Sequence, residues 1–275
     1  MSETQLVGFL VFIFGTIVGS FLNVCIVRLP LEKSVVFPAS HCVHCKNPIP
    51  WYYNVPLLSY LILMGRCNFC QGSISIRYFI VELVTGFSFT AFYFYFGLTP
   101  IFFAYLIMLA GFIVATFVDL EHRIIPDEIS VGGMIVGVIL SLFIPELHNM
   151  QAGPGASWTI WPHLKSLGYA LLGVLVGGGS IYLMGVLGDL IFRKESMGGG
   201  DVKLMAMVGA FMGWKLALLT FFIAPFFGAV WGVIEKIRTK ESAIAYGPFL
   251  VIGALISLFK GEEIIQWIIR GYGIY

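Results

Sequence analysis

Long apolar runs separated by short polar breaks make up most of this chain. The runs cover 6–28, 78–97, 99–118, 128–145, 165–191, 202–213, 215–235 and 244–260. A helix needs about 20 mostly apolar residues to cross a bilayer, and most of these runs reach or approach that length. The 202–213 run is too short for a full span and fits a half-buried helix or the start of a longer one. The pattern predicts an all-α membrane protein, a polytopic helical bundle of about eight spans.

Composition agrees with a membrane protein and excludes other classes. Hydrophobic residues make up 59% of the 275 residues and charged residues only 11%, with a mean hydropathy of +0.92. Soluble domains carry about 25% charged residues, so an ordinary soluble globular protein is excluded. The net charge of +1 gives no basic surface for nucleic acid, and we expect no nucleic-acid partner.

The first apolar run predicts an uncleaved spanning helix over 1–29, because no basic segment precedes it and no small-residue cleavage site follows. With the N-terminus outside and eight crossings, 12 of the 16 Lys and Arg residues fall on the cytoplasmic side and 4 outside. Positive residues concentrate in cytoplasmic loops. This bias therefore predicts that the polar insertion at 30–77 is cytoplasmic.

The insertion carries two C-x-x-C pairs, Cys42/Cys45 and Cys67/Cys70. Four thiolates in two such pairs suit a tetrahedral Zn²⁺ site, and a metal would stabilise a segment too small for a good core. Two disulfides and free thiols are the alternatives, and a reducing cytoplasm disfavours disulfides. His41 or His44 could replace a cysteine, and an iron–sulfur cluster is a further use of four thiolates. We expect a structural zinc loop over 30–77.

Carboxylates at membrane level are the candidate chemistry, because charges there are costly and mark functional sites. Asp119 ends the third run, and Asp201 follows three glycines, Gly198–Gly200, at the start of the sixth. Asp127 after Pro126 is the main rival to Asp119 and also fits a helix cap, while Asp189 fits a solvated helix end. Asp119 and Asp201 have the same alternative interpretation, a solvated helix end or a helix N-cap.

The predicted topology places Asp119 and Asp201 at similar depth on the cytoplasmic side. Two carboxyl groups that share a proton can activate water and protonate a carbonyl oxygen, which is aspartyl protease chemistry. The glycines at 198, 199 and 200 would offer a substrate strand backbone groups that no side chain blocks. The alternative class is an ion-transporting or proton-coupled transporter, in which the same carboxylates carry the cation.

These residues together resemble the bacterial type IV prepilin peptidases, a family of GxGD intramembrane aspartyl proteases. The resemblance covers nearly the whole chain. It rests on the motifs Gly19-Ser-Phe-Leu-Asn-Val24, Arg28-Leu-Pro30, the cysteine quartet, Asn54–Tyr60, Arg77–Leu83, Asp119 with Ile125-Pro126-Asp127, Gly198–Asp201 with Lys203–Ala206, and Tyr246-Gly-Pro-Phe249. Two departures are small: the family often has Phe where Tyr246 stands and a larger residue at the variable position held by Gly199.

The resemblance implies that Asp119 and Asp201 are the catalytic pair within a protease domain over 78–275. It implies cleavage of a type IV prepilin or pseudopilin after Gly, at the cytoplasmic face of the bacterial inner membrane. It also implies N-methylation of the new N-terminal residue with S-adenosyl-L-methionine as methyl donor. The sequence has no glycine-rich loop of the Rossmann type to hold that donor, so its site is not assigned. The motif Gly19–Asn23 and Glu82 are candidates for it.

Overall fold

A computed structural model describes residues 2–150, 160–193, 197–239 and 245–271. Within these ranges the regular structure is helical, apart from two isolated β-bridges in the cysteine-bearing insertion. The helices are α1 Glu3–Arg28, α2 Leu58–Ile62, α3 Ile76–Phe96, α4 Pro100–His122, α5 Asp127–Phe143, α6 Trp161–Phe192, α7 Gly199–Thr239 and α8 Gly247–Gly271. The predicted all-α class is therefore confirmed.

Five helical segments in the described ranges are long and apolar enough to cross a membrane. They are Glu3–Leu31, Ile76–Phe96, Pro100–His122, Trp161–Ile191 and Gly199–Glu235. The runs at 202–213 and 215–235 both lie in α7, which consists of two helices that meet at a kink, with non-helical backbone at Gly213. A multi-pass membrane protein follows from these helices, and many of their large apolar side chains face outward, where lipid tails would cover them.

Local signals in the sequence explain where several helices begin and end. Ser2 and Gln5 form a capping box at the start of α1, and the Ser75 hydroxyl accepts the Arg77 N–H at the start of α3. Gly97 ends α3 with φ of 64°, a conformation that glycine adopts without a steric penalty. Pro126 precedes α5, whose first turn carries Asp127 and Glu128, and acidic residues are favourable at a helix N-terminus.

The chain divides into two compact units, Met1–Val114 and Ala115–Tyr275, so that α4 begins in the first and ends in the second. In the first unit α1 packs along α3. Gly15 and Gly19 on α1 lie against the backbone of Gly86 and Glu82 on α3. The division into 1–29, 30–77 and 78–275 that we predicted from the sequence remains a prediction.

In the second unit α7 packs against α5, α6 and α8. Gly173 on α6 and Gly209 on α7 touch backbone to backbone, and a Cβ atom at either would overlap the carbonyl of the other. A Cβ atom at Gly177, one turn further along α6, would likewise overlap the Met205 carbonyl oxygen. Small residues let membrane helices approach this closely, so these glycines set the distance between α6 and α7.

The bend in α7 at Gly213 lies against His148, which belongs to the short 3₁₀ turn Pro145–His148. Gly213 has φ of 75°, and a Cβ there would come within 3.0 Å of the His148 ring. The His148 Nδ1 atom lies 2.8 Å from the Ser166 hydroxyl. Burial lowers the pKa of His148 to about 4, so the ring is neutral at pH 7 and needs no counter-charge beside the bend.

We expect Gly173→Ala to destabilise the second unit. The added methyl group has no room beside Gly209, and overpacking of this kind costs about 1–3 kcal/mol or more. We therefore expect the thermal unfolding midpoint in detergent to fall by about 5 °C or more. Gly168→Ala is the matched control, because a Cβ at Gly168 meets nothing within 4 Å on the same helix. Equal midpoints for both variants would contradict the close backbone contact.

Candidate active site and metal centre

Asp119 lies near the end of α4 with its carboxyl group turned into the second unit. The residue is only 5% exposed. Its Oδ2 atom accepts a hydrogen bond of 2.8 Å from the backbone N–H of Gly247, the first residue of α8. The first N–H groups of a helix have no partner within it and carry partial positive charge. The start of α8 therefore supplies a buried carboxylate with a donor that needs no charged side chain.

Asp201 lies in the first turn of α7 and is 9% exposed. The Gly198 backbone N–H donates to its carboxylate, and the Asp201 N–H donates to the Gly198 carbonyl at 3.1 Å. The carboxyl groups of Asp119 and Asp201 are close enough to interact electrostatically. The Asp201 carboxyl group also interacts with the Tyr246 hydroxyl group. The structure thus brings the two predicted aspartates together and gives each one backbone donor.

Ile125 fills the space between the helix starts that carry these donors. The residue is buried in the segment between α4 and α5. A Cβ at Gly200 would lie 3.0 Å from the Ile125 Cβ, and a Cβ at Gly247 would lie 3.3 Å from its Cδ1 and 2.9 Å from the Asp119 Oδ2. Glycine at 200 and 247 therefore allows α7, α8 and the segment after α4 to converge around the two carboxyl groups.

Asp127, the rival to Asp119, has a different environment. Both of its carboxylate oxygens lie 2.7 Å from the Lys203 ammonium, and its side chain is 62% exposed. The Lys203 ammonium balances the negative charge of Asp127, and solvent reaches its carboxylate. Asp127 therefore does not present an unpaired carboxyl group to Asp201. Asp189 is exposed near the end of α6, as expected for a solvated helix end.

The three glycines before Asp201 differ in their surroundings. Gly198 precedes α7, whereas Gly199 and Gly200 form its first turn. A Cβ at Gly199 would meet nothing within 4 Å, so this position opens outward, while Gly200 packs on Ile125. The backbone that faces away from the bundle is thus the N-terminal turn of a helix and not an extended strand.

The cysteine pairs form two matching knuckles in the first unit. In one, the Cys42 N–H donates to the Asn47 carbonyl and the Lys46 N–H to the Cys42 carbonyl. The other repeats this pattern with Cys67, Gly72 and Gln71 in the corresponding positions. The residue after the second cysteine has positive φ in both, 60° for Lys46 and 58° for Gln71.

The four thiols converge on one point. Their Sγ atoms all lie within 4.8 Å of one another, and Cys42 Sγ is 3.8 Å from Cys70 Sγ. Tetrahedral zinc with Zn–S bonds of about 2.3 Å separates its sulfurs by about 3.8 Å, so the quartet fits that metal. None of the four is in a disulfide. His44 turns away and places its Nε2 atom 3.2 Å from the Ser73 carbonyl oxygen, while the His41 ring lies against the Ala39 carbonyl.

Comparison with known proteins identifies the family. Residues 13–96 match the Bacterial Peptidase A24 N-terminal domain, and residues 106–233 match the Type IV leader peptidase family. This chain belongs to the type IV leader peptidase family. The predicted resemblance and the predicted enzyme class, a leader peptidase, are confirmed by that membership.

Several curated relatives carry the name prepilin leader peptidase/N-methyltransferase. The Myxococcus xanthus protein is 36% identical over 84% of this chain and 64% of its own length. The Pseudomonas aeruginosa protein is 32% identical over 92% of this chain and 90% of its own, and the Legionella pneumophila protein is 32% identical over 94% and 93%. No solved structure matches the chain.

The sequence did not predict the hydrogen-bond partner of Asp119 or the ion-pair partner of Asp127. Gly247 lies in the motif Tyr246-Gly-Pro-Phe249, which we singled out without giving it a role. Lys203 follows Asp201 by two residues, but nothing local indicates that it would pair with Asp127. A glycine next to a proline at the start of a predicted helix was the available signal for Gly247.

We expect one zinc ion per chain in the purified protein. Cys42→Ser removes one ligand of the closed site, so bound zinc should fall to less than about one tenth of the wild-type amount. Metal content measured by atomic emission checks this. Cys25→Ala is the matched control, because Cys25 is a buried thiol of α1 outside the quartet. Wild-type protein free of zinc after purification without chelators would contradict the assignment.

Proposed function

We propose that this protein is a membrane aspartic endopeptidase that removes the leader peptide of type IV prepilins or pseudopilins, and that it then N-methylates the new N-terminal residue. Its catalytic residues in this proposal are Asp119 and Asp201. One observation supports the peptidase activity above all: two buried carboxyl groups from α4 and α7 interact with each other, each with a backbone N–H donor. The family membership and the names of the relatives support the choice of substrate.

The proposed reaction uses the two carboxyl groups as one acid–base pair, with a single proton shared between them. The ionised group takes a proton from a bound water while the water oxygen forms a bond to the carbonyl carbon of the leader glycine. The protonated group gives its proton to the carbonyl oxygen. The tetrahedral intermediate then collapses and the C–N bond breaks. The departing amine takes the proton that came from water, and the hydroxyl formed on the carbonyl oxygen returns its proton to the carboxylate that donated it.

The backbone environment of Asp119 and Asp201 suits this division of roles. Each carboxylate accepts one backbone N–H, from Gly247 or Gly198. The Arg123 charge also acts on Asp119, but among the described residues neither aspartate has an ion pair as close as that of Asp127 with Lys203. A tight cation would hold its carboxylate permanently charged and unable to exchange a proton. Neutral backbone donors fix the positions of the carboxyl groups and leave the shared proton free to move between them.

The substrate would approach at the outward side of the first turn of α7. A Cβ at Gly199 would meet nothing, and the side chain nearest to Gly198 is the Asp201 carboxylate itself. An extended peptide backbone next to Gly198 would place its scissile carbonyl near Asp201. In this proposal Gly198 and Gly199 bind the leader junction, whereas Gly200 serves the packing on Ile125.

The location and the metal complete the proposal. In this proposal the aspartates and the insertion lie on the cytoplasmic side of the bacterial inner membrane, as the Lys and Arg bias of the sequence predicts. Zinc on Cys42, Cys45, Cys67 and Cys70 would be structural, since four thiolates leave no open coordination position for a substrate.

The transporter alternative would also place carboxylates in membrane helices. It predicts acids near the middle of the bilayer, on helices that are broken at the site. Asp119 lies in the last turn of α4 and Asp201 in the first turn of α7. Membership in a leader peptidase family favours the peptidase.

We expect Asp119→Asn and Asp201→Asn each to lower prepilin cleavage by at least about 100-fold, because each variant removes one half of the acid–base pair. The measurement is processing of a purified prepilin by the detergent-solubilised full chain, followed by mass spectrometry. Asp127→Asn is the matched control. It breaks an exposed ion pair that contributes about 0–1 kcal/mol, so cleavage should stay within about tenfold of wild type.

Full cleavage by Asp119→Asn or Asp201→Asn would overturn the proposed pair. Loss of cleavage with Asp127→Asn, together with normal cleavage by Asp119→Asn, would transfer the role to Asp127. A wild-type protein that cleaves no prepilin, but conducts protons or cations in liposomes, would favour the transporter.

A further inference from the structure

The short helix α2 of the cysteine-bearing insertion has an apolar outward face that the described part of the chain leaves uncovered. Leu58, Leu61 and Ile62 on that face are 58%, 59% and 72% exposed. Met64, two residues after the helix, is 85% exposed. Residues three and four apart lie on one side of a helix, so these side chains share a surface. The stretch 54–65 contains no charged residue. Large apolar surfaces of this kind are rare where a protein meets water, so this one needs a partner.

Two contacts hold the opposite side of α2 against α3. The Leu57 N–H, at the start of α2, donates to the Glu82 carboxylate at 2.7 Å. The Tyr60 ring packs on the Phe79 ring, with the ring centroids 5.5 Å apart. Ser59 also lies on this inner side and is buried. The helix α2 therefore lies alongside α3 and not beyond its end.

The length of α3 sets the depth of α2 in the membrane. This helix has 21 residues and is apolar enough to span. At 1.5 Å per residue it is about 31 Å long, which matches the thickness of the hydrocarbon core of a bilayer. Glu82 is the seventh residue of α3, so it lies about 9 Å along the axis from the first. The Leu57 end of α2 is therefore inside the apolar layer and not in the water beside it.

The chain just before α2 meets α1 at a comparable depth. Residues 54–56 line the same cavity as Ile17 and Val24 of α1, which lie eleven and four residues before the end of that helix. The helix α1 is itself long and apolar enough to span. Phe21 on α1 and Phe87 on α3 are exposed apolar residues that lipid tails would cover. The outward face of α2 thus extends a lipid-facing surface that α1 and α3 already form.

The backbone of α2 has internal partners at both of its ends, as a location in lipid requires. The Leu58 and Ser59 N–H groups donate to carbonyls two and four residues back, at 2.6 and 3.0 Å. The three residues that follow Leu63 donate their N–H groups back to the helix or to Leu63 itself. Helix ends in water often leave such groups to solvent, but acyl chains offer neither donors nor acceptors. The Glu82 carboxylate supplies the partner for the remaining N–H, that of Leu57.

The residues that flank the apolar stretch suit the lipid headgroup region. Trp51 and Tyr52 precede it, Arg66 follows it, and all three are exposed. Trp and Tyr are enriched at membrane–water interfaces. An Arg side chain there reaches the phosphate groups while its stem stays in the apolar layer. The order of aromatic, apolar and cationic residues is thus that of a segment that enters the membrane and returns to the same side.

We propose that α2 is embedded in the membrane and that lipid acyl chains cover its outward face, Leu58, Leu61, Ile62 and Met64. The partner is the bilayer itself, because contacts within the first unit already hold α2 at the depth of the acyl chains, without association with another protein. The helix lies between the two cysteine pairs in the sequence. An embedded α2 would therefore hold the cysteine knuckles at the membrane surface, and this role does not depend on the proposed peptidase activity.

The test places the photo-crosslinking residue p-benzoylphenylalanine at position 62 of the full chain, in nanodiscs of phosphatidylethanolamine and phosphatidylglycerol. Mass spectrometry after irradiation identifies what has become attached. We expect phospholipid as the main adduct, with a yield within about threefold of that from the same substitution at Phe87 in the spanning helix α3. Asn68, an exposed residue between Cys67 and Cys70, is the matched control. The same substitution there should give at least about tenfold less lipid adduct, because a polar side chain is costly to place among acyl chains.

Native Met64 gives a second readout that needs no substitution. Its side chain is covered little by protein, so water would reach it freely if lipid did not. Chloramine-T, an oxidant that stays in water, should convert Met64 to the sulfoxide at least about tenfold more slowly than free methionine in the same nanodisc sample. Mass spectrometry of the peptide that contains Met64 measures the rate. Because this readout uses the wild-type chain, it holds even where a crosslinker variant fails to fold.

Four results would overturn the proposal. Oxidation of Met64 as fast as free methionine, or lipid adducts at position 87 with none at position 62, would place the outward face in water. Adducts of position 62 with a second copy of the chain or with added prepilin, in place of lipid, would assign the face to a protein partner. Equal lipid yields at positions 62 and 68 would show that the insertion touches lipid without a dedicated surface.

Discussion

The cost of placing carboxyl groups at the edge of a membrane shapes the second unit. A buried carboxylate must find hydrogen-bond donors, and a nearby cation would hold it in the charged form. Backbone N–H groups near helix starts supply the donors, Gly247 for Asp119 and Gly198 for Asp201, and the Arg123 charge also acts on Asp119. This arrangement requires that the end of α4 and the starts of α7 and α8 converge. Gly200 and Gly247 allow this, because a side chain at either position would meet Ile125 or Asp119.

Close helix packing keeps that convergence in place. Gly173 and Gly209 bring α6 and α7 into backbone contact, and Gly253 on α8 lies against the Thr220 and Ala224 backbone of α7. Since hydrophobic burial adds little between helices in lipid, close contact of this kind contributes much of the association. The Asp127–Lys203 ion pair adds an exposed link between the starts of α5 and α7. The proximity of the Asp119 and Asp201 carboxyl groups therefore depends on close contacts made at glycines.

The first unit contains the cysteine-bearing insertion and the seam between α1 and α3. Its insertion is too small to build an apolar core, and the convergence of four thiols on a zinc-sized space gives it a fixed structure. The seam between α1 and α3 meanwhile carries Glu82 and an unpaired Asn23 oxygen beside a cavity. These polar groups belong to a different unit from Asp119 and Asp201.

The sequence by itself determined the helical class, the apolar runs, the cysteine quartet and the two candidate aspartates. These depend on residue type and on short spacings, which a linear pattern records directly. Tertiary structure gives Asp119 and Asp127 different environments, because burial beside Gly247 and pairing with Lys203 both depend on residues distant in sequence. It also showed that the two apolar runs of α7 meet at a kink at Gly213 that packs on His148. Contacts between distant helices leave no periodic signal in the chain, so the partners of each carboxylate became visible only in the folded protein.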